Sequence, residues 1–136
     1  MRCLGMDLGT KTLGLAISDV SGLIASPYKV IRFNDINDAI KEVKDIVLNE
    51  KIDTLVLGLP KNMNNSLGFA AERSLKFKEL LEKELNQEII LIDERLSTVE
   101  AENILIGAGA SRKNRKKVID EMAASIILDT YLRMVK

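Results

Sequence analysis

Apolar and polar positions change period several times along the chain, and those changes mark its elements. Residues 2–8 and 13–19 each carry a short apolar run, parted by Gly9-Thr10-Lys11-Thr12. This pattern predicts a β-hairpin with a glycine-containing turn. Residues 26–33, Ser-Pro-Tyr-Lys-Val-Ile-Arg-Phe, alternate and predict a third strand, with Pro27 favouring an edge or a strand start. From Asn34 to Glu50 the period becomes helical, with Ile36, Ala39, Ile40, Val43, Ile46 and Val47 on one stripe. Ile52 to Leu59 reads as a buried strand around Leu55-Val56-Leu57, ending at Gly58-Leu59-Pro60. Lys61 to Gly68 is polar and asparagine-rich, the composition of a loop. Phe69 to Asn86 predicts a second amphipathic helix, and Glu88 to Asp93 a second buried strand around Ile89-Ile90-Leu91-Ile92. Two further helices are expected at 97–106 and 115–135, split by Gly107-Ala108-Gly109-Ala110.

The predicted order is β-β-β-α-β-α-β-α-α. Three meandering strands followed by α-β units imply an α/β fold: a five-stranded mixed β-sheet with helices on both faces. Its 136 residues fit one domain spanning residues 1–136, with neither an internal repeat nor a linker.

Composition narrows the chemistry. Hydrophobic residues make up 46% of the chain, enough for a core, yet no stretch approaches the roughly 20 apolar residues of a membrane span. Asp7 interrupts any signal-peptide core near the N-terminus, and the single cysteine, Cys3, suits the core of a protein in a reducing cytoplasm. The chain contains no histidine, which excludes histidine general bases, Ser-His-Asp triads and imidazole-ligated zinc. With one cysteine, a thiolate metal site is excluded as well. Any catalytic metal must be held by oxygen, which points to a hard ion such as Mg²⁺ or Mn²⁺.

Three carboxylates stand out against this background. Asp7 lies inside Leu4-Gly5-Met6-Asp7-Leu8-Gly9, a segment otherwise suited to the centre of a sheet. It either caps the following turn or holds a cation that offsets the cost of burial. Glu94, in Asp93-Glu94-Arg95, follows the end of a buried strand, where open α/β sheets bind ligands; a solvated carboxylate is the plain alternative. The next residues, Ser97-Thr98-Val99-Glu100, match a helix capping box and need no further role. Asp120 flanks the apolar stripe of the last helix beside Ala123, Ala124 and Ile127, as either a border carboxylate or a ligand. Asp19, before Val20-Ser21-Gly22, reads as an ordinary turn residue.

Converging carboxylates repel one another unless cations sit between them. Asp7, Glu94 and Asp120 together would form the ligand set of two-metal phosphodiester cleavage. Positive charge is concentrated in Arg112-Lys113-Asn114-Arg115-Lys116-Lys117, leading into the last helix, although acidic and basic residues balance at twenty each. A charge run is usually a solvated loop. Cations at a helix N-terminus oppose its dipole, however, and phosphates are partners that would justify the placement. Arg95 adds to the same field. Aromatic residues are only 4% of the chain, so binding dominated by base stacking is not expected.

Taken together, Met6-Asp7-Leu8-Gly9-Thr10-Lys11, Gly58-Leu59-Pro60 before an asparagine-rich loop, Asp93-Glu94-Arg95-Leu96-Ser97-Thr98, and the basic run before Ile119-Asp120-Glu121-Met122-Ala123-Ala124 resemble the YqgF family, also called RuvX. The resemblance spans essentially the whole chain. Each motif is weak alone, and the set is specific. It implies an RNase H-like fold related to the RuvC Holliday-junction resolvases, and an activity described either as pre-16S rRNA nuclease or as Holliday-junction resolvase. Carried over by motif, the strand aspartate is Asp7, the glutamate is Glu94 and the helix aspartate is Asp120.

The expectation is a cytoplasmic metal-dependent endonuclease acting on structured nucleic acid, trimming the 5′ end of precursor 16S rRNA. Asp7, Glu94 and Asp120 hold Mg²⁺ or Mn²⁺, two ions in all, while Lys11, Arg95, Arg112, Lys113, Arg115, Lys116 and Lys117 meet phosphates. No membrane partner is expected, and the chain works as a monomer or a homodimer. A resolvase is the near alternative and would need a two-fold dimer. A sugar-kinase or actin-like ATPase fits Asp7-Leu8-Gly9-Thr10 locally, but such proteins clamp nucleotide between two domains of this kind. A non-catalytic binding module is the third class, because fold does not fix function.

Overall fold

Side chains alternate across a strand, so the first strand determines what each face of the sheet receives. The computed structural model of the protein describes residues 1–60, 68–94, 106–109 and 111–135, with backbone alone at 112 and 114–121. Strand β1 (Cys3–Leu8) sends Leu4, Met6 and Leu8 to one face, into a core shared with helices α1 (Ile36–Asn49) and α2 (Phe69–Leu85). Cys3 points to the other face and joins Val56, Ile92, Ala124, Ile127, Leu128 and Leu132 beneath helix α3 (Arg112–Met134). Gly5 meets α3 there, and Asp7 shares that parity.

The remaining strands are β2 (Thr12–Ser18), β3 (Ala25–Arg32), β4 (Thr54–Leu59) and β5 (Ile89–Asp93). They form one five-stranded sheet in the order β3-β2-β1-β4-β5. The β1–β2 and β2–β3 pairs are antiparallel, whereas β1–β4 and β4–β5 are parallel. This is the expected mixed sheet with helices on both faces. β3 is an edge strand, which tolerates the missing N–H of Pro27. Its register with β2 shifts between Leu15, opposite Lys29, and Ala16, opposite Pro27, leaving Tyr28 as the bulged residue.

Local chemistry sets the ends of the helices. Asp35 caps α1 by accepting the Asn37 backbone N–H at 2.9 Å. Asp35→Ala is expected to cost about 1 kcal/mol, the usual value of such a cap. An unchanged urea midpoint would show that the cap carries no weight. Asn86 ends α2 in the left-handed conformation, φ 57. Asp19 is the turn residue anticipated: it accepts the N–H groups of Leu23 and Ile24 and the Ser21 hydroxyl. The Ser21 hydroxyl, with those backbone N–H groups, lowers its carboxyl to about 2.

One boundary needs correction. The last helix begins at Arg112, not 115, so the basic run forms its first turns instead of leading into it. Lysine and arginine are good helix formers, and Ser111 ahead of them is a residue type favoured at a helix start. The helix expected at 97–106, its capping box and most of the 61–68 loop lie outside the described residues; Ile106 and Gly107 are helical, and Gly68 is the residue before α2. No helix among the described residues is long and apolar enough to cross a membrane.

Candidate active site

The parallel pairs β1–β4–β5 bring their C-terminal ends to one edge. Asp7 is half-buried there, opposite Gly14 of β2. Glu94 follows β5 directly and shares the parity of Ile92, which packs beneath α3. Asp93, with opposite parity, does not. Between β1 and β5 lies Gly58 of β4, which pairs with Ile92. A Cβ built on Gly58 would lie 2.5 Å from Glu94 Oε1 and 2.8 Å from its Cγ, and would also strike Ile127 Cδ1. The Glu94 side chain therefore folds across the bare backbone of Gly58 toward Asp7.

The two carboxyl groups meet. Burial first, then a hydrogen bond to Asp7 and the charges of Asp7 and Asp93, together raise the Glu94 carboxyl to about 8. In the metal-free protein, protonated Glu94 donates to Asp7, and one proton holds together two groups that would otherwise repel. A cation at this point would take the proton's place, and the donors are the hard oxygens that Mg²⁺ and Mn²⁺ prefer. Asp7 also lines a hollow of about 190 Å³ with Gly14, Tyr28, Lys29, Ala124 and Ser125. At roughly 30 Å³ of liquid volume per water, the hollow is large enough for several waters.

The direction of α3 follows from its contacts. Gly5 meets Leu128 and Ala124, whereas Gly14, opposite Asp7, meets Ala124. Toward its N-terminus, then, α3 runs toward the Asp7 edge. Asp120 lies one turn before Ala124 on that path, about 5–6 Å of helical rise. Its side chain lies outside the described residues. Among the described residues no group of three or more carboxylate or thiol ligands assembles.

The expected phosphate contacts divide. Lys11 is exposed in the β1–β2 turn and Lys113 is exposed in the first turn of α3. Arg95 and the side chains of Arg112, Arg115, Lys116 and Lys117 lie outside the described residues. Sequence reasoning overlooked Gly58 as part of the site. The available signal was a glycine inside an otherwise bulky strand, which often marks a close approach.

A family model described as RuvX, Holliday junction resolvase, matches residues 1–134. The chain belongs to the RuvX family. Membership makes it by class a nuclease, a phosphodiester hydrolase. A RuvX relative from Geobacillus sp. (strain WCH70), named "Putative pre-16S rRNA nuclease", is 49% identical over 134 residues, 97% of each chain. One from Clostridium tetani with the same name is 47% identical over 135 residues, covering 99% of this chain and 98% of the relative.

Solved structures agree with the RuvX fold. T. thermophilus RuvC, in complex with a Holliday junction substrate, superposes with a TM-score of 0.63 at 17% identity, covering 98% of this chain and 96% of RuvC. The fowlpox virus Holliday junction resolvase gives 0.52 at 14% identity, covering 98% and 99%. These likenesses establish the RNase H-like architecture.

Proposed function

We propose that this RuvX protein is a metal-dependent endonuclease for structured RNA that trims the 5′ end of precursor 16S rRNA. The observation that carries the reading is the meeting of the Asp7 and Glu94 carboxyl groups, across the bare backbone of Gly58, at the C-terminal edge of a parallel strand trio. The substrate follows the name borne by the curated relatives.

Asp7, Glu94 and Asp120 are the residues that would hold Mg²⁺ or Mn²⁺, two ions in the full site. Bound there, such ions supply an activated water and charge stabilisation at the leaving oxygen. The chain's own part is positioning. β1 fixes Asp7 within a hydrogen-bonded ladder, Gly58 leaves the space across which Glu94 reaches it, and α3 carries Asp120 toward the same edge. Lys11 and Lys113, with Arg95, Arg112, Arg115, Lys116 and Lys117, meet the phosphates on either side of the scissile bond. One active site suffices for a single-strand cut, so a monomer can perform it.

The second reading, resolution of four-way DNA junctions, is favoured by the description of the matching family. It requires a two-fold dimer that places two such edges on opposed strands. The test is Mn²⁺-dependent cleavage of two labelled substrates, a precursor 16S rRNA 5′ segment and a four-way DNA junction, by wild type and Asp7→Asn. Cleavage of the RNA alone, lost in the variant, is the expected result. Paired symmetrical cuts in the junction would establish the resolvase instead. If both substrates bind and neither is cut, the catalytic reading fails and a binding module replaces it.

A further inference from the structure

On the face opposite Asp7 and Glu94, the same sheet edge opens into a hollow of about 520 Å³. Leu8, Phe33, Ile36 and Leu80 give it an apolar floor, and Thr10 and Arg73 supply polar groups. A second hollow, of about 430 Å³, shares Phe33 and Asn34 with the first and is lined by Lys11 and Arg32. The two form one continuous groove beginning at the β1–β2 turn. That turn leaves β1 two residues after Asp7, about 7 Å along an extended chain. It is tied to the end of β3 by the Phe33 N–H, which donates to the Lys11 carbonyl at 3.0 Å.

The charges in this groove differ from those over much of the surface. Arg2, Lys29, Lys44, Lys78, Lys83 and Arg133 each have a carboxylate partner. Lys11, Arg32, Arg73 and Lys76, which line the groove, have none among the described residues. Lys41, Lys51 and Lys113 also lack one but line neither hollow. The Arg73 Nε is buried without a hydrogen-bond partner, which is costly unless a ligand satisfies it. Two acids face the groove. Asp35 caps α1 and Asp38 lies beside it, so two carboxylates stand against four cations and the groove keeps a net positive charge.

An apolar floor under unpaired cations suits a polyanion that carries flat apolar groups. We propose that this groove takes a single-stranded nucleic-acid segment that flanks the scissile phosphate and crosses the sheet edge at the β1–β2 turn. Lys11, Arg32, Arg73 and Lys76 bind its phosphates, and one unstacked base enters the Phe33-lined hollow. The hollow lies in the 300–1,000 Å³ range of small-ligand pockets, so it can accept one. The proposal rests on the nuclease reading and deepens it, because it gives the enzyme a preference for substrates with an unpaired flank.

The test is binding of labelled single-stranded RNA to the intact protein without metal, followed by fluorescence anisotropy across a salt series. Variants are Arg73→Gln/Lys76→Gln and, on a different element, Arg32→Gln. Lys44→Gln/Lys83→Gln, whose lysines are already paired, is the control. The double variant is expected to lose about tenfold in affinity at low salt and to flatten the salt slope by about 1.4, roughly 0.7 per phosphate contact. Arg32→Gln should flatten it by about half as much, and the control should match wild type. A 2-aminopurine stepped along the strand should change emission at one position in wild type. Variants that bind like wild type with the same slope would overturn the groove and leave the nuclease standing. Slopes that change with no 2-aminopurine response would overturn the proposal through its base seat. Wild type that binds neither RNA nor junction DNA would overturn the nuclease reading and the groove with it.

Discussion

Asp7→Asn is expected to abolish metal-dependent cleavage while making the metal-free protein more stable. Loss of one preorganised charged group at a reaction centre costs on the order of 10²–10³ in rate, and Asp7 is proposed to touch the metal itself. The stability effect has the opposite sign. Glu94 titrates near 8 when folded against an ordinary value of 4.5, so the folded state holds a proton that the unfolded state releases. The Glu94 contribution to stability is therefore fully present below 4.5 and is lost as pH rises through the window up to about 8. Removing the Asp7 charge weakens the hold on the Glu94 proton and leaves burial and the Asp93 charge, so the variant should lose less across that window. The gain near neutral pH is of order 1 kcal/mol, since each tenfold change in proton affinity is worth about 1.4 kcal/mol. Thermal melts across the window, with and without Mn²⁺, read both effects. Metal should raise the melting temperature of wild type, and do so more at the upper end of the window, where it displaces the proton more easily. It should do little for the variant. A variant that cleaves normally, or whose melts track wild type with and without metal, would remove Asp7 from the site.

Two of the three proposed ligands were legible because their placement follows from one-dimensional rules. Asp7 shares the parity of Cys3 and Gly5, and that parity faces α3. Glu94 ends a strand whose partners run parallel, so the end of the strand is the end of a cleft. What sequence could not show depends on distance across the sheet. The proton shared by Asp7 and Glu94 needs β4 between their strands and a glycine at position 58 of it. Of the four groove cations, Lys11 was expected to meet phosphate, and the other three escaped notice for the same reason. Arg32 comes from an edge strand, Arg73 and Lys76 from α2, and Lys11 from a hairpin turn. No local period links them, and only the strand order brings them together. The earlier start of α3 escaped because a basic run is equally at home in a loop and in a helix; nothing in its composition decides between the two.

Substituting alanine at two glycines should separate holding the fold from holding the site. At Gly5 a Cβ would lie 2.7 Å from Leu128 Cβ and 2.9 Å from the Ala124 carbonyl oxygen. Neither atom can move by changing a rotamer, so α3 must lift from the sheet. Overpacking of this kind costs roughly 1–3 kcal/mol, and the displaced helix takes Asp120 with it. Gly5→Ala is expected to lose stability and cleavage together. At Gly58 the intruding Cβ meets only side-chain atoms, Ile127 Cδ1 with Glu94 Oε1 and Cγ, and these can shift by changing rotamer. Gly58→Ala should therefore keep most of its stability while Glu94 is driven off Asp7. A misplacement of about 1 Å at a reacting centre costs on the order of 100-fold in rate. Melts and single-turnover cleavage of the same two variants make the comparison. If Gly58→Ala cleaves as wild type does, Glu94 does not need to reach across β4, and the carboxylate pair is not the centre of the chemistry. If it loses cleavage and the metal-induced rise in melting temperature while its metal-free melt holds, the bare backbone at 58 belongs to the site. β4 would then contribute to the chemistry through a side chain it lacks.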